Sequence, residues 1–385
     1  MAILHDSDEH IAIRHTVKRL VADRLPGYRD APKPLSFPRP LFEEMASIGL
    51  AGLVVQEQYG GAGMGAVTSS IVMEELSKGD LGCAVFLSVH LMVSGLIQRS
   101  GNDAQKQRLL PRLSSGEALA AFALTEPTAG SNPAQMKCTY SAKDGSYVIT
   151  GEKCYITSAG FADIYLLFAR REGSSGSDGI SAFIIEPSRL DGGWSISAPE
   201  AKMGAELSPI ASISMDSIKV PPDALLGEIE AGYSIALGGL ASGRVNIAAC
   251  ANGISSEAIR LAVAHLRDRE QFGSKLIEMQ GLQFMLADMQ MKLISSQLVT
   301  RQAAELLELS PSDARSKILS STAKCLASDA AMAITTDAVQ LLGGAGYIHE
   351  YRVEQLMRDA KMLQIVEGTN QIQRLVIARE MQKLY

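Results

Sequence analysis

No stretch of this chain reads as a metal or nucleophile motif. Its six histidines (His5, His10, His15, His90, His265 and His349) include no HExxH or comparable ligand spacing, and GxSxG and Walker sequences are missing as well. Catalysis by a protein-bound metal or an activated serine therefore has no support in the sequence. The five cysteines (Cys83, Cys138, Cys154, Cys250, Cys325) form no CxxC pair and are odd in number, which predicts reduced thiols rather than a disulfide framework or a zinc site. Basic clusters are missing too. The net charge is -6, with Lys/Arg and Asp/Glu mixed along the chain, so neither nucleic acid nor an anionic membrane meets a complementary patch. The first residues, MAILHDSDEHIAIRHTVKRL, carry early acids and no apolar core, unlike a secretory or transit signal, and a cytoplasmic chain is expected. One long apolar run exists, Leu81 to Ile97, but it holds His90, two serines and two glycines and stands alone. It is read as a buried helix, with no membrane span.

What is present is a chain of 385 residues, 46% hydrophobic, longer than one typical core and thus expected to fold as several units sharing interfaces. Helical spacing dominates residues 1–118, in HIAIRHTVKRLVADRL, PLFEEMASIGLAGL and VTSSIVMEELSKG. The loop QEQYGGAGMG between them does not fit GxGxxG. Residues 119–225 change to short β-branched and aromatic runs (YVITG, CYITS, DIYLLFARR, ISAFIIEP, SISMDSIKV) with Gly- and Ser-rich turns such as REGSSGSDG. The partial alternation of SISMDSIKV suits an antiparallel sheet with one wet face. After KVPPDALLG the helical period returns and holds over 226–385, opening with a Gly/Ala/Ser-lined stretch from Ile235. The predicted fold is α+β and multidomain: an N-terminal helical domain, a middle antiparallel β domain and a C-terminal four-helix bundle.

Five constellations have chemical potential. ALTEPTAGSN, Ala123 to Asn132, turns through Pro127 and Gly130 and offers the hydroxyls of Thr125 and Ser131 beside free backbone N–H groups, enough to hold a phosphate or a polar ring edge; an ordinary capped turn has the same composition. In GEKCYITSAG, alternation puts Tyr155 and Thr157 on one strand face, where a flat ligand could lie, although half-buried strands contain such pairs routinely. Arg269, Phe272 and Gly273 stand where one helix ends and another begins, a setting that favours a diphosphate. In QLLGGAGYIHEYRVEQLMRDAK the glycines expose backbone, while Arg358, Asp359 and Lys361 read as structural ion pairs. The last is IVEGTNQIQR. A helix running through VEQLMRDAKMLQIVEG is expected to stop at Gly368, with the next starting at Thr369 or Asn370. That leaves Glu367 in a last helical turn, where the macrodipole disfavours negative charge. An isolated Glu with no metal or nucleophile at hand reads as a proton-transfer group serving a cofactor.

In this order, EQYGGAGMG, LTEPTAGSN, GEKCYIT, IKVP, REQFG, QLLGGAGYIHEY, RDAK and IVEGTNQIQRLVIAR resemble the acyl-CoA dehydrogenase family over essentially the whole chain. The resemblance implies an FAD enzyme that converts an acyl-CoA to the trans-2-enoyl-CoA and passes electrons to an electron-transfer flavoprotein. It implies Glu367 as the base that takes the α-proton, with its pKa raised toward neutrality between Ile365 and Val366. Thr125 would bond the flavin's pyrimidine edge, Ser131 the pyrophosphate or the CoA arm, and Tyr155 and Thr157 would sit against the ring. Arg269, Phe272, Gln340 and Gly344 would act on FAD across a subunit interface of a homotetramer, with Thr369 and Gln371 nearby. Arg244 matches an arginine near the substrate, and a buried structural ion pair is its alternative. The segment AVFLSVHLMVSGLI is expected to line a short- to medium-chain acyl cavity, in which His90 would be either a core residue or a contact to a substituted acyl group. An oxidase or lyase-like relative, and a non-catalytic scaffold, are the competing readings. The chain departs from common patterns at Asn132, Tyr155, Arg352, Gln355 and Val366, in place of Asp, Trp or Phe, Pro, a basic residue and an aromatic.

Overall fold

The computed structural model describes residues 6–29 and 36–384. The N-terminal part is built from α1 (Asp8–Asp23), α2 (Leu25–Arg29), α3 (Arg39–Ser47), α4 (Ala66–Gly79), α5 (Leu81–Ser100) and α6 (Asp103–Ser114). Asp80 joins α4 to α5 and caps the latter, its Oδ1 accepting from the Cys83 N–H at 3.2 Å. With a mean hydropathy of 1.8, α5 is the one helix among the described residues long and apolar enough to cross a membrane, and 89% of that window is buried in the protein. It is apolar all round because helices and sheet surround it. In its middle His90 is satisfied on both sides: Nδ1 accepts from the Ala120 N–H at 3.2 Å, and Nε2 lies 3.1 Å from Ala51 O and 3.2 Å from Leu113 O. Burial pushes its pKa down to about 4. His90 is thus a neutral core residue tying α5 to β1 and α6, and a role on a substituted acyl group is corrected.

The middle part is one sheet. Its strands are β1 (Ala120–Ala123), β2 (Thr139–Lys143), β3 (Ser146–Thr157), β4 (Ile164–Arg171), β5 (Ile180–Ile185), β6 (Trp194–Ile196), β7 (Ile210–Val220) and β8 (Leu225–Leu226). They run β6-β7-β3-β2-β4-β5-β8, with β1 beside the first half of β4. Pairing is antiparallel, as expected, except that β1 and β2 each lie parallel to β4. The second departure is local: the β3–β7 register shifts between Lys153 and Ile156, and Tyr155 there has φ 56. This bulge leaves Lys153 and Cys154 both buried and turns Tyr155 outward.

The C-terminal part contains α7 (Gly232–Asp268), a ribbon of β9 (Glu270–Gln271) and β10 (Ser274–Lys275), α8 (Gln280–Leu309), α9 (Ala314–Leu342), α10 (Val353–Leu363) and α11 (Asn370–Leu384). The helices α7, α8 and α9 pack mutually, and α10 and α11 complete the bundle against α9. Small residues let α7 approach closely: a Cβ on Gly253 would collide with Ser77 Oγ and Glu74 O of α4. The N-terminal helices and the bundle therefore share one core.

Candidate active site

The helical stripe of α10 ends at Leu363. The N–H groups of Gln364, Ile365 and Val366 still bond back to Lys361 and Met362, and the chain then turns left-handed through Glu367 (φ 54) and Gly368 (φ 87). Thr369 caps α11, its hydroxyl accepting from the Ile372 N–H at 3.3 Å. The expected helix through Gly368 is corrected by four residues and more: Glu367 lies beyond α10, in a turn. Its backbone, rather than the macrodipole, explains its position, because the left-handed turn aims the side chain at α7.

On α7 the carboxylate meets Gly243. A Cβ there would stand 2.5 Å from Glu367 Oε2 and 2.7 Å from Cδ, so only glycine leaves the space. One turn earlier Gly239 faces α5, where a Cβ would stand 2.8 Å from Leu96 Cδ1 and 3.2 Å from Met92 Cγ. A bare stripe of α7 thus runs from the apolar side chains of α5 to the carboxylate. Arg244, buried next to Gly243, has Nη1 3.5 Å from Ser321 Oγ and, among the described residues, no partner for its Nε. The carboxylate that acts on its charge is Glu367. Lys324 of α9, fully buried, donates to Gly368 O at 2.9 Å and Asn370 Oδ1 at 2.8 Å. Burial pushes the Glu367 carboxyl up to about 7, against the pull of Arg244 and Lys324, and its buried Oε2 has no hydrogen-bond partner among the described residues. Ile365 is 54% exposed and Val366 half-buried against the core, so the expected burial between the two is corrected at Ile365, and Gly243 of α7 meets the carboxylate instead. A half-ionised carboxyl near neutrality with a free oxygen is a competent general base.

A second group forms on the sheet. The Cys154 N–H donates to Thr125 O at 2.9 Å, which brings Thr125 beside Tyr155 and Thr157. Tyr155 is 66% exposed, Thr157 half-buried, and Ser131 and Asn132 are exposed in the turn beyond. Beneath them lies a buried ion pair the sequence reading missed: Lys153 Nζ donates to Glu126 Oε1 at 2.7 Å and Leu124 O at 3.1 Å, and the Cys138 and Lys137 N–H groups also donate to Glu126. One carboxylate thus ties the start of the ALTEPTAGSN turn to β3 and to the Lys137–Cys138 backbone that leads into β2.

A third group lies elsewhere. Arg269 caps the C-terminus of α7, about 39 Å along the helix from Gly243 at 1.5 Å per residue. Phe272 (φ 55) and Gly273 (φ 83) make a two-residue turn between β9 and β10, with the Phe272 ring 95% exposed. Arg269 borders a groove of about 440 Å³ lined also by His265, Leu342 and Tyr351, and Gln340 and Gly344 flank Leu342 in sequence. No side chain comes within 4 Å of the space a Cβ on Gly344 would take. Gln371 is exposed on the first turn of α11. Arg358 pairs with Glu354 and Glu206 as expected, but Asp359 forms no ion pair among the described residues: it accepts from the Ala205 N–H at 2.7 Å, and burial pushes it up to about 7.

Over nearly its whole length the chain is similar to known proteins. The acyl-CoA dehydrogenase N-terminal, middle and C-terminal domain models match residues 7–117, 121–218 and 230–382. An acyl-CoA dehydrogenase of Bacillus subtilis is 39% identical over 98% of this chain and 98% of its own. The structure of butyryl-CoA dehydrogenase from Megasphaera elsdenii superposes with a TM-score of 0.94 at 34% identity, covering 98% of this chain and 99% of that one. A chain from the structure of the electron transferring flavoprotein of Acidaminococcus fermentans does so at 0.93 and 36%, covering 99% of each.

Proposed function

The chain belongs to the acyl-CoA dehydrogenase family of FAD-dependent oxidoreductases, and from that premise we propose that it desaturates short- to medium-chain acyl-CoA thioesters to trans-2-enoyl-CoA with Glu367 as base. The observation that carries this reading is the carboxyl of Glu367, unpartnered at Oε2 among the described residues, held near neutral pKa and laid on Gly243. Glu367 takes the α-proton, and Arg244 and Lys324 stabilise the carboxylate beforehand. Met92 and Leu96, packed on Gly239 one turn of α7 before Gly243, would give an acyl chain an apolar wall near the base.

The residues present fit FAD. The exposed Tyr155 ring with Thr125 and Thr157 suits a flat ring with polar edges, and the open turn at Gly130 and Ser131 suits a phosphate. When bound, FAD accepts the hydride equivalent from the β-carbon. Arg269, at the end of α7, lies about 39 Å along that helix from Gly243 and Phe272 follows it, while Gln340 lies about 24 Å along α9 from Lys324 and Gly344 just beyond that helix, which supports their acting on a neighbouring subunit's cofactor in a homotetramer, with Thr369 and Gln371 nearby. The exposed Phe272, and the exposed Phe284, Met291 and Leu298 spaced by sevens on α8, support such contacts. Ser131 and Arg244 are assigned to the substrate side. An electron-transfer flavoprotein is the proposed acceptor.

Glu367→Gln tests the reading. The variant is expected to keep its bound flavin and lose about 10³-fold or more in anaerobic flavin bleaching by butyryl-CoA. In the wild type the bleaching rate of the free enzyme should fall about tenfold per pH unit below about 7, since only the ionised carboxylate accepts a proton. Wild-type-like turnover in Glu367→Gln would remove it from the base role. A panel of acyl-CoAs from C4 to C16 reads the chain length. Reoxidation by oxygen would instead favour an oxidase, and a colourless preparation a scaffold.

A further inference from the structure

Behind the base lies a buried ammonium group with an unusual set of partners. Lys324 has no solvent exposure, yet its two short bonds go to a backbone carbonyl and a side-chain amide, those of Gly368 and Asn370, rather than to a carboxylate. Fully buried lysines are rare without an ion pair, because the charge must be desolvated. The partners belong to the residues directly after Glu367. Asn370 is fixed in turn by donating to Ser328 Oγ at 2.9 Å and Asp329 Oδ1 at 2.7 Å. Gln373 adds two bonds from Nε2, to Glu367 O and Gly368 O, both at 2.9 Å.

The backbone held in this way needs holding. Glu367 has a left-handed φ of 54, and such a conformation costs a residue with a Cβ about 1–2 kcal/mol. Without a brace, the turn would relax and move the carboxylate off Gly243. We propose that Lys324 is a positioning residue for the reaction, clamping the Glu367–Gly368 turn and setting, with Arg244, the positive field in which the carboxylate ionises. This rests on Glu367 being the base.

The charged groups around Lys324 define the expected sign. Glu367 faces it from the turn, Arg244 from α7, and Asp329 and Cys325 from its own helix. Asp329 is engaged by Arg374 of α11 at 2.9 Å. Burial lowers the Lys324 ammonium to about 8, so it is cationic at neutral pH. Removing that cation leaves Glu367 with Arg244 alone, raises the carboxyl further and moves the acid limb of the rate profile to higher pH.

The test compares Lys324→Arg, Lys324→Gln and Lys324→Met with wild type, as holoenzymes, by anaerobic flavin bleaching with butyryl-CoA from pH 6 to 9.5, with flavin content and melting temperature recorded in parallel. Lys324→Gln keeps donors but no charge, so its limb should shift up by about one unit, a roughly eightfold loss at pH 6.5 that all but vanishes by pH 9. Lys324→Met loses the clamp as well and should stay at least tenfold slow at both ends. Lys324→Arg should restore the wild-type limb. Superimposable profiles for Lys324→Gln and Lys324→Arg would overturn the proposal, and this pair decides if Lys324→Met purifies without flavin. An active Glu367→Gln, in contrast, would overturn the base assignment itself, whatever the Lys324 variants do.

Discussion

Gly243→Ala separates the geometry of the base from the stability of the fold. The added methyl would lie 2.5 Å from Oε2, 2.7 Å from Cδ and 3.0 Å from Oε1 of Glu367, whereas an ordinary carbon–oxygen contact is about 3.3 Å, so the carboxylate must retreat by close to 1 Å. Those atoms are the far end of a flexible side chain, and the retreat costs the fold little. Replacing a mid-helix glycine by alanine meanwhile favours the helix by about 1 kcal/mol. The melting temperature should therefore hold or rise slightly. Activity should not, because displacing a catalytic group by about 1 Å costs on the order of 100-fold, equivalent to about 2.7 kcal/mol in the barrier. Stopped-flow flavin reduction by butyryl-CoA, with calorimetry on the same preparations, measures both. A variant within threefold of the wild-type rate would refute the confinement of Glu367 by α7. A variant that is both slow and markedly less stable would refute the claim that the clash is absorbed by the side chain.

Two further predictions concern buried charges outside the base. Lys153→Met removes the cation from Glu126 while leaving that carboxylate buried, which should cost about 3–5 kcal/mol of stability. It should also lower flavin content, because the same pair pins Thr125 and the ALTEPTAGSN turn to β3; full flavin occupancy at an unchanged melting temperature would contradict this. Asp359, pushed up to about 7 by burial beside Asp80, keeps its proton in the fold where the unfolded chain has released it. Its stabilising contribution is present below about pH 4 and is lost as the pH rises through 7. Asp359→Asn retains an acceptor for the Ala205 N–H, so it should melt higher than wild type at pH 8 and lose that advantage at pH 4. A wild type that gains stability relative to Asp359→Asn as the pH rises would contradict the sign.

The order helices, sheet, helices was legible because each part has its own hydrophobic period, 3.6 or 2, over lengths that outvote local exceptions. Glu367 stood out as a proton-transfer candidate because no metal or nucleophile motif competes with it, and its proposed role as base came from the family resemblance. What surrounds Glu367 was not. Gly243 and Lys324 approach it from 124 and 43 positions upstream, and nothing in the local spacing of α7 or α9 distinguishes them from the other small or basic residues there. The end of α10 was misplaced for the same reason. VEQLMRDAKMLQIVEG has no breaker before Gly368, and the left-handed Glu367 is sustained by Lys324 and Gln373 from outside the stretch. On β3 the bulge at Tyr155 breaks the alternation that would have marked Lys153 as buried.

Arg352 shows how such long-range terms also rescue a motif that looks damaged. Read locally, an arginine where proline is frequent puts the start of α10 in doubt. In the fold Arg352 takes φ 57, a value closed to proline, whose ring holds φ near −65°, so the chain enters α10 by a route the more frequent residue cannot follow. The cost of that conformation is offset by contacts only arginine can make there. Its guanidinium donates to Glu257 Oε1 at 2.9 Å and to the carbonyls of Lys78, at 2.7 Å, and Gly79, the last residues of α4, which would otherwise end without partners. One side chain thereby fastens the entry of α10 to α7 and to the N-terminal helices. Because α10 leads into the Glu367 turn, the same fastening fixes the start of the helix whose far end delivers the chain to the proposed base.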